Sequence, residues 1–348
     1  MKTILVTGGA GFIGSHTSLL LLKKGFNLII LDSFLNSNPK VIERISELSG
    51  IKNVQKRIDL IKGDIRDQKL LERLFNFAKK NNNPIDAVIH FAGLKSVSDS
   101  LENALEYWEV NVLGTIKLLK VMEKNNCFTI IFSSSATIYG VPNDFPLKET
   151  SEIKPVNTYG ETKAAIENIL RDLSKVKSNK WRIITLRYFN PVGAHPSGHI
   201  GEDPKQKPNN LMPLIMQTAI GKRNKLEIYG EDYDTPDGSC IRDYIHVLDL
   251  ARGHLAALSF LSKNSGSHVW NLGTGIGTSV LELVDLARRI TGIEIVTEIA
   301  PRRLGDSPIA VANPEKARNE LSWNPEYSLE NMCVDHWNWQ RNHPDGYQ

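Results

Sequence analysis

Short, continuously apolar runs alternate with longer stretches of mixed polarity through the first half of the chain. Thr3-Ile4-Leu5-Val6-Thr7 is the first such run; a glycine-rich turn follows, and Ile13 to Lys24 reads as a helix. Asn27-Leu28-Ile29-Ile30-Leu31-Asp32 is a second strand, and Asn53 to Gly63 holds a third, ahead of Asp64. Asp86-Ala87-Val88-Ile89-His90-Phe91, Phe128-Thr129-Ile130-Ile131-Phe132-Ser133 and Arg182-Ile183-Ile184-Thr185-Leu186-Arg187 continue the series. Gln68–Lys80, Leu101–Asn125 and Tyr159–Lys175 read as helices between strands. Strands apolar on both faces must be covered on both faces, which calls for a parallel sheet flanked by helices. The pattern predicts an α/β protein with a doubly wound parallel sheet, the Rossmann fold.

Near residue 190 the texture changes. Pro191 to Pro213 is rich in Pro, Gly and polar residues. It is too long and irregular for an ordinary connector, which marks it as a functional loop. The expected division is a dinucleotide-binding domain over 1–189, rejoined by about 238–265, and a smaller C-terminal α/β substrate domain over 190–348.

Gly8, Gly11 and Gly14 are spaced G-x-x-G-x-x-G between the first strand and the first helix. Such glycines let a pyrophosphate approach the backbone, and the helix N-terminus supplies donors and a favourable dipole. Asp32 closes the second strand, where a carboxylate accepts from the adenosine ribose hydroxyls and repels a 2′-phosphate; that favours NAD over NADP. Its plainer role would be to cap a turn. Asp64 and Ile65, after the third strand, could flank the adenine.

Tyr159 and Lys163 are four apart on a predicted helix and share a face. A tyrosine base near neutral pH needs its pKa lowered by roughly 3 units, or about 4 kcal/mol. A neighbouring ammonium and a positively charged nicotinamide both favour the phenolate. Ser133-Ser134-Ser135-Ala136-Thr137 follows the fifth strand, at the sheet end where ligands sit. Ser135 is the first choice to hydrogen-bond a substrate oxygen, with Thr137 the alternate.

Composition narrows this further. The net charge of +3 is spread evenly, which gives no footprint for nucleic acid. Cys127, Cys240 and Cys333 are far apart and odd in number, so a reducing, cytoplasmic setting is expected rather than a disulfide framework. The N-terminus does not read as a signal peptide, and no apolar run reaches membrane-spanning length. His195, His199, Glu202 and Asp203 suggest a metal, but Pro196 and Gly198 break the helix their spacing needs, so no metal is expected.

Taken together, Thr7–Gly14, His90–Lys95, Ser133–Gly140, Tyr159–Lys163 and Arg187–Ala194 form an ordered motif set. Asn209–Pro213, Arg242–His246, Asn271–Gly273, Arg302–Asp306 and the region Trp337–Pro344 extend it over nearly the whole chain. In these motifs the sequence resembles the UDP-glucose 4-epimerase family, a group of extended short-chain dehydrogenase/reductases. The resemblance implies a tightly bound NAD in contact with Phe12, Ile13, Asp32, Ser33, Phe34, Leu35, Asn36, Ser37, Asp64 and Ile65. Phe91, Ala92, Gly93, Leu94, Lys95, Asn111, Lys163 and Phe189 would complete its pocket. Ser135 and Tyr159 would meet the sugar 4-oxygen. Asn190, Asn210, Leu211, Ile228, Tyr229, Arg242, Arg303 and Asp306 would hold the UDP-sugar, the two arginines suiting a diphosphate.

The implied reaction interconverts UDP-galactose and UDP-glucose, in galactose metabolism, through a transient 4-keto sugar. Ala310 stands where the family lines its sugar pocket, and a small residue there implies acceptance of UDP-N-acetylglucosamine and UDP-N-acetylgalactosamine. A homodimer is also implied, paired through the helices of Leu101–Asn125 and Ala164–Leu173. The competing readings are a UDP-N-acetylglucosamine or UDP-glucuronate 4-epimerase, a 4,6-dehydratase and a non-catalytic NAD-binding regulator. A dehydratase needs an added acid–base pair after the fifth strand, where Ser135-Ala136-Thr137 carries no carboxylate.

Overall fold

The computed structural model describes residues 2–348 except 143, 177–179, 207, 209 and 304, so Asn209 and Leu304 of the motifs above lie outside the described residues. The alternation appears as β1 (Thr3–Thr7), α1 (Phe12–Lys23), β2 (Asn27–Asp32), α2 (Val41–Ser49), β3 (Ile58–Lys62), α3 (Gln68–Lys80) and β4 (Ile85–His90). It continues with α4 (Val97–Glu102), α5 (Ala104–Tyr107), α6 (Gly114–Lys124), β5 (Thr129–Ser135), α7 (Thr158–Ser174) and β6 (Arg182–Tyr188). The second half carries β7 (Asn190–Val192), α8 (Leu211–Ala219), β8 (Leu226–Tyr229), β9 (Ile241–His246), α9 (Val247–Leu261) and β10 (Gly266–Leu272). It closes with β11 (Gly277–Ser279), α10 (Val280–Thr291), β12 (Thr297–Ala300), β13 (Ile309–Ala310), α11 (Glu315–Leu321) and α12 (Leu329–Asn342).

Seven strands form one sheet in the order β10-β6-β5-β4-β1-β2-β3, every neighbouring pair parallel. Alternate strand residues feed two cores, as the pleat requires. Ile4, Val6, Ile30, Ile131 and Ile184 pack with Leu19 and Leu22 of α1, Ile45 of α2 and Ala257 of α9. Leu5, Leu31, Val88, Ile130 and Phe132 pack with Phe75 of α3, Leu118 and Met122 of α6 and Ile166 of α7. The fold is thus the doubly wound Rossmann sheet. Burial on both faces holds inside it; β3, at the edge, stays partly exposed.

Two features depart from the sequence pattern. The expected helix over Leu101–Asn125 is interrupted, because Asn103 leaves the helical region (φ −118°, ψ 44°) and Trp108–Leu113 forms a π-helical turn. That turn brings Asn111 inward, where it is buried against the loop after β4. The second is in the stretch that rejoins the large sheet, expected over about 238–265: it runs through α9, which packs on α1, to β10, which adds beside β6 and ends at Leu272. β9 instead lies at the centre of a small sheet with β7, β11 and β13. A third core, with Met212 and Ile215 of α8, Tyr244 of β9, Val284 of α10 and Met332 of α12, supports that smaller part.

Candidate active site

β1, β4 and β5 end on one side of the large sheet, and the candidate residues gather there. The turn after β1 is built for close approach. Gly8 has φ +70°, and a Cβ on it would lie 2.7 Å from the Ala92 nitrogen. On Gly14 a Cβ would lie 2.3 Å from the Gly8 carbonyl oxygen. Gly11 precedes α1, and no side chain caps that helix. Its first N–H groups are therefore left to a ligand, with Phe12 and Ile13 half-buried in the first turn.

Asp32 is buried at the end of β2. Its carboxylate accepts from the Ala10 nitrogen at 3.0 Å, the Phe34 nitrogen at 3.0 Å and Ser37 Oγ at 2.7 Å. It fixes the turn and retains acceptor sites for hydroxyl donors. Ser33 and Leu35 stay exposed beside it, and Asn36 is half-buried. Ile65 is buried. Asp64 is gripped by the Arg66 fork at 2.7 Å, which lowers its carboxyl below the usual range.

Phe91 and Ala92 are half-buried, Gly93 is exposed, and Leu94 is clamped by Asn111. Asn111 Oδ1 accepts from the Leu94 nitrogen at 2.8 Å, and Nδ2 donates to the Leu94 oxygen at 3.1 Å and to Thr162 at 3.0 Å. Asn111 thus shapes the pocket wall. The glycine cradle, the uncapped helix and the buried Asp32 together suit a dinucleotide.

Tyr159 and Lys163 lie in the first turns of α7, whose cap is Asn157 accepting from the Gly160 nitrogen at 2.9 Å. Lys163 Nζ donates to the Ser133 carbonyl at 2.8 Å and lies 5.7 Å from the centre of the Tyr159 ring. Burial pulls the Lys163 ammonium down to about 8, with Glu167 one turn on acting against it. Burial also pushes the Tyr159 phenol up to about 12, while a hydrogen bond with Ser135 draws it down. Thr137 donates to Ser135 Oγ at 3.0 Å, so the two candidate hydroxyls are linked, and Ser135 is the one whose hydroxyl acts on the Tyr159 phenol.

On the other side of the crevice, Phe189 is buried and Asn190 begins β7. Asn210 precedes α8 and Leu211 opens it, while Ile228 is buried in β8. The Arg303 guanidinium lies 3.7 Å from the centre of the Tyr229 ring. Arg242 donates to the Ser307 carbonyl at 2.7 Å and stands 3.7 Å from Asp306. Ala310 pairs with Arg242 in the small sheet.

Two partnerships were not foreseen in the sequence. Arg187, next to last in β6, forms a buried ion pair with Glu167, one turn on from Lys163. Glu202, weighed there as a metal ligand, accepts from Lys95 and Asn210 instead. The i, i+4 spacing of Lys163 and Glu167 was a signal for the first; the second left none.

Residues 5–336 match the profile of a family described as GDP-mannose 4,6 dehydratase. The chain is 51% identical over 348 residues to a pea (Pisum sativum) protein named bifunctional UDP-glucose 4-epimerase and UDP-xylose 4-epimerase 1, with 99% of this chain and 97% of that one covered. Among solved structures, the UDP-glucose 4-epimerase of Bifidobacterium longum in complex with NAD+ and UDP superposes with a TM-score of 0.93 at 45% identity, covering 99% of this chain and 100% of that one. The UDP-glucose-4-epimerase of Stenotrophomonas maltophila, with bound NAD and formylated UDP-arabinopyranose, gives 0.92 at 42%, covering 99% of each chain.

Proposed function

The chain belongs to the UDP-glucose 4-epimerases, within the extended short-chain dehydrogenase/reductases, and from that membership we propose that it interconverts UDP-galactose and UDP-glucose on a bound NAD. The observation that carries this reading is the convergence of Tyr159, Lys163 and Ser135 beside the glycine cradle. Bound NAD supplies the acceptor, and then the donor, of the hydride that leaves and returns to the sugar C4.

The chain's residues handle the proton and the position. Tyr159 takes the proton of the 4-hydroxyl at its phenolic oxygen and later returns it. Ser135 Oγ, oriented by Thr137, bonds the same sugar oxygen. Lys163, anchored on Ser133, is the adjacent cation that offsets the cost of a phenolate in a buried site. Arg242 and Arg303 hold the diphosphate as permanently charged donors. Asn190, Asn210, Leu211, Ile228 and Tyr229 shape the nucleotide pocket.

Ala310 supports a broader substrate range. Ala310 pairs with Arg242 in the small sheet, and on this reading its methyl leaves the sugar pocket wider than a bulky side chain would. The enzyme accepts N-acetylated UDP-hexoses on this reading. Incubation with UDP-galactose, UDP-N-acetylgalactosamine and UDP-xylose, the last named in the pea relative, with the C4 epimers read by NMR, tests the function. No epimer from any of them sinks it. Ala310→Tyr is expected to remove the N-acetylated activity and spare the plain pair; equal losses on both would refute the pocket assignment.

A homodimer paired through α4–α6 is part of the same reading and is supported by the exposed apolar residues there. Leu101, Leu105, Trp108 and Leu113 are exposed there, Leu105 to 82%, and clustered exposed apolar residues mark an interface. Leu105→Glu is expected to halve the mass seen by sedimentation, and a wild-type protein already monomeric would contradict this. The three buried, unpaired cysteines support a cytoplasmic setting.

A further inference from the structure

Glu202 lies in the loop between β7 and α8, with 4% of its side chain exposed. Its Oε1 accepts from Lys95 Nζ at 2.9 Å and from Asn210 Nδ2 at 2.8 Å. Its Oε2 is buried and has no hydrogen-bond partner. Lys95 follows β4, in the segment assigned above to the dinucleotide, and Asn210 precedes α8, in the segment assigned to the sugar nucleotide. The same loop is latched to the dinucleotide side twice more. Lys205 Nζ donates to the Phe34 carbonyl at 3.2 Å, and the Gln206 nitrogen donates to Asn36 Oδ1 at 3.0 Å.

A buried carboxylate is tolerated only when its charge is balanced and its lone pairs are used. Here Oε1 takes an ammonium and an amide from two separate segments while Oε2 stays unpaired, so these two donors hold the charge in place. Loss of either partner leaves the carboxylate short of one of them, so the positions of Lys95 and Asn210 depend on each other.

We propose that Glu202 is a positioning residue that couples the cofactor wall to the sugar-nucleotide wall, fixing Asn210 for UDP through a charge balanced by Lys95. The inference rests on Asn210 serving the sugar nucleotide, as in the function proposed above. Glu202 acts through the two residues it joins.

The test uses the holoenzyme and reads UDP affinity by calorimetry, with KM, kcat, bound-NAD content and melting temperature alongside. Glu202→Ala is expected to weaken UDP roughly 10-fold or more, the scale of a lost hydrogen bond to a charged group. KM should rise more than kcat falls. Adding Asn210→Ala should then cost less than about 2-fold, because coupled partners are not additive. Glu202→Gln keeps an oxygen for Asn210 and recovers most of the affinity.

Lys95→Met should weaken UDP by at least about 5-fold, the low end for coupled sites. That variant carries the test if Glu202→Ala does not fold. Losses that multiply independently, or a lower melting temperature with unchanged UDP affinity, overturn the coupling. A wild-type protein that binds no UDP overturns the proposed function itself, so the two failures are distinguishable.

Discussion

Tyr159→Phe is expected to lower epimerisation of UDP-galactose by roughly 10²–10⁴-fold, the range a positioned acid–base group contributes. The substitution removes one oxygen and keeps the ring. That oxygen has no part in the Asp32 network, whose donors are Ala10, Phe34 and Ser37. Bound NAD should therefore stay at the wild-type level, measured by absorbance after denaturation. Burial pushes this phenol up to about 12, so wild-type activity needs added positive charge beside it and should rise with pH as the base form appears. The Phe variant loses that rising limb. Unchanged turnover would falsify the assignment of the base; loss of NAD along with turnover would move Tyr159 from chemistry to cofactor binding.

Glu167→Gln should destabilise the protein by about 3–5 kcal/mol, the usual result of breaking one side of a buried pair. Arg187 donates from Nε at 3.1 Å and from Nη2 at 2.7 Å to the two Glu167 oxygens, with side chains 5% and 9% exposed. Ser134 adds a third donor to Glu167 at 2.5 Å. Arginine cannot shed its proton, so removing the carboxylate charge leaves a buried cation unpaired. Its remaining contacts, the Tyr139 hydroxyl at 2.8 Å and the Glu149 carbonyl at 2.9 Å, carry no countercharge. Denaturant unfolding measures the effect. A cost below about 1 kcal/mol, typical of exposed pairs, would mean that the pair is solvated. Glu167→Leu with Arg187→Met should recover much of the loss, because removing both charges removes the desolvation problem.

Glu167 also reaches the chemistry. It is the carboxylate that supports the Lys163 ammonium against burial. Removing its charge lowers the Lys163 pKa further, so less of the cation is present at neutral pH. Activity of the folded Glu167→Gln protein should fall, and raising the pH should not restore it.

Features set within a few neighbouring residues were legible. The apolar runs of β1, β2, β4, β5 and β6, the glycine turn and the shared face of Tyr159 and Lys163 follow from local period and spacing. Features set by distant partners were not. Leu101–Asn125 reads as one helix because Asn103 is no strong breaker, while the π-helical turn accompanies a clamp between Asn111 and Leu94, 17 positions earlier. Gly266–Leu272 carries Ser267, His268 and Asn271 and does not look like a buried strand; pairing with β6 makes it one. Glu202 sits among histidines in sequence, which suggested metal chemistry, yet one of its partners lies 107 residues away. The spacing of Tyr159 and Lys163 gives the nearby cation but not the depth of burial, which pushes the phenol up to about 12.

The late arrival of β10 bears on how the protein is made. Emerging from the ribosome, the first 189 residues contain six of the seven sheet strands, with β6 as an open edge of seven residues. An unpaired, apolar edge is a template for strands of other chains. The nascent chain carries that hazard until residue 272 has been synthesised and β10 can dock. By then β7, α8, β8 and β9 have also emerged, while β11, α10, β12, β13 and α12 of the smaller part have still to be made. The large sheet therefore closes before the region facing it is complete, and a gene fragment cut at residue 189 would yield an aggregation-prone product rather than a minimal cofactor-binding domain.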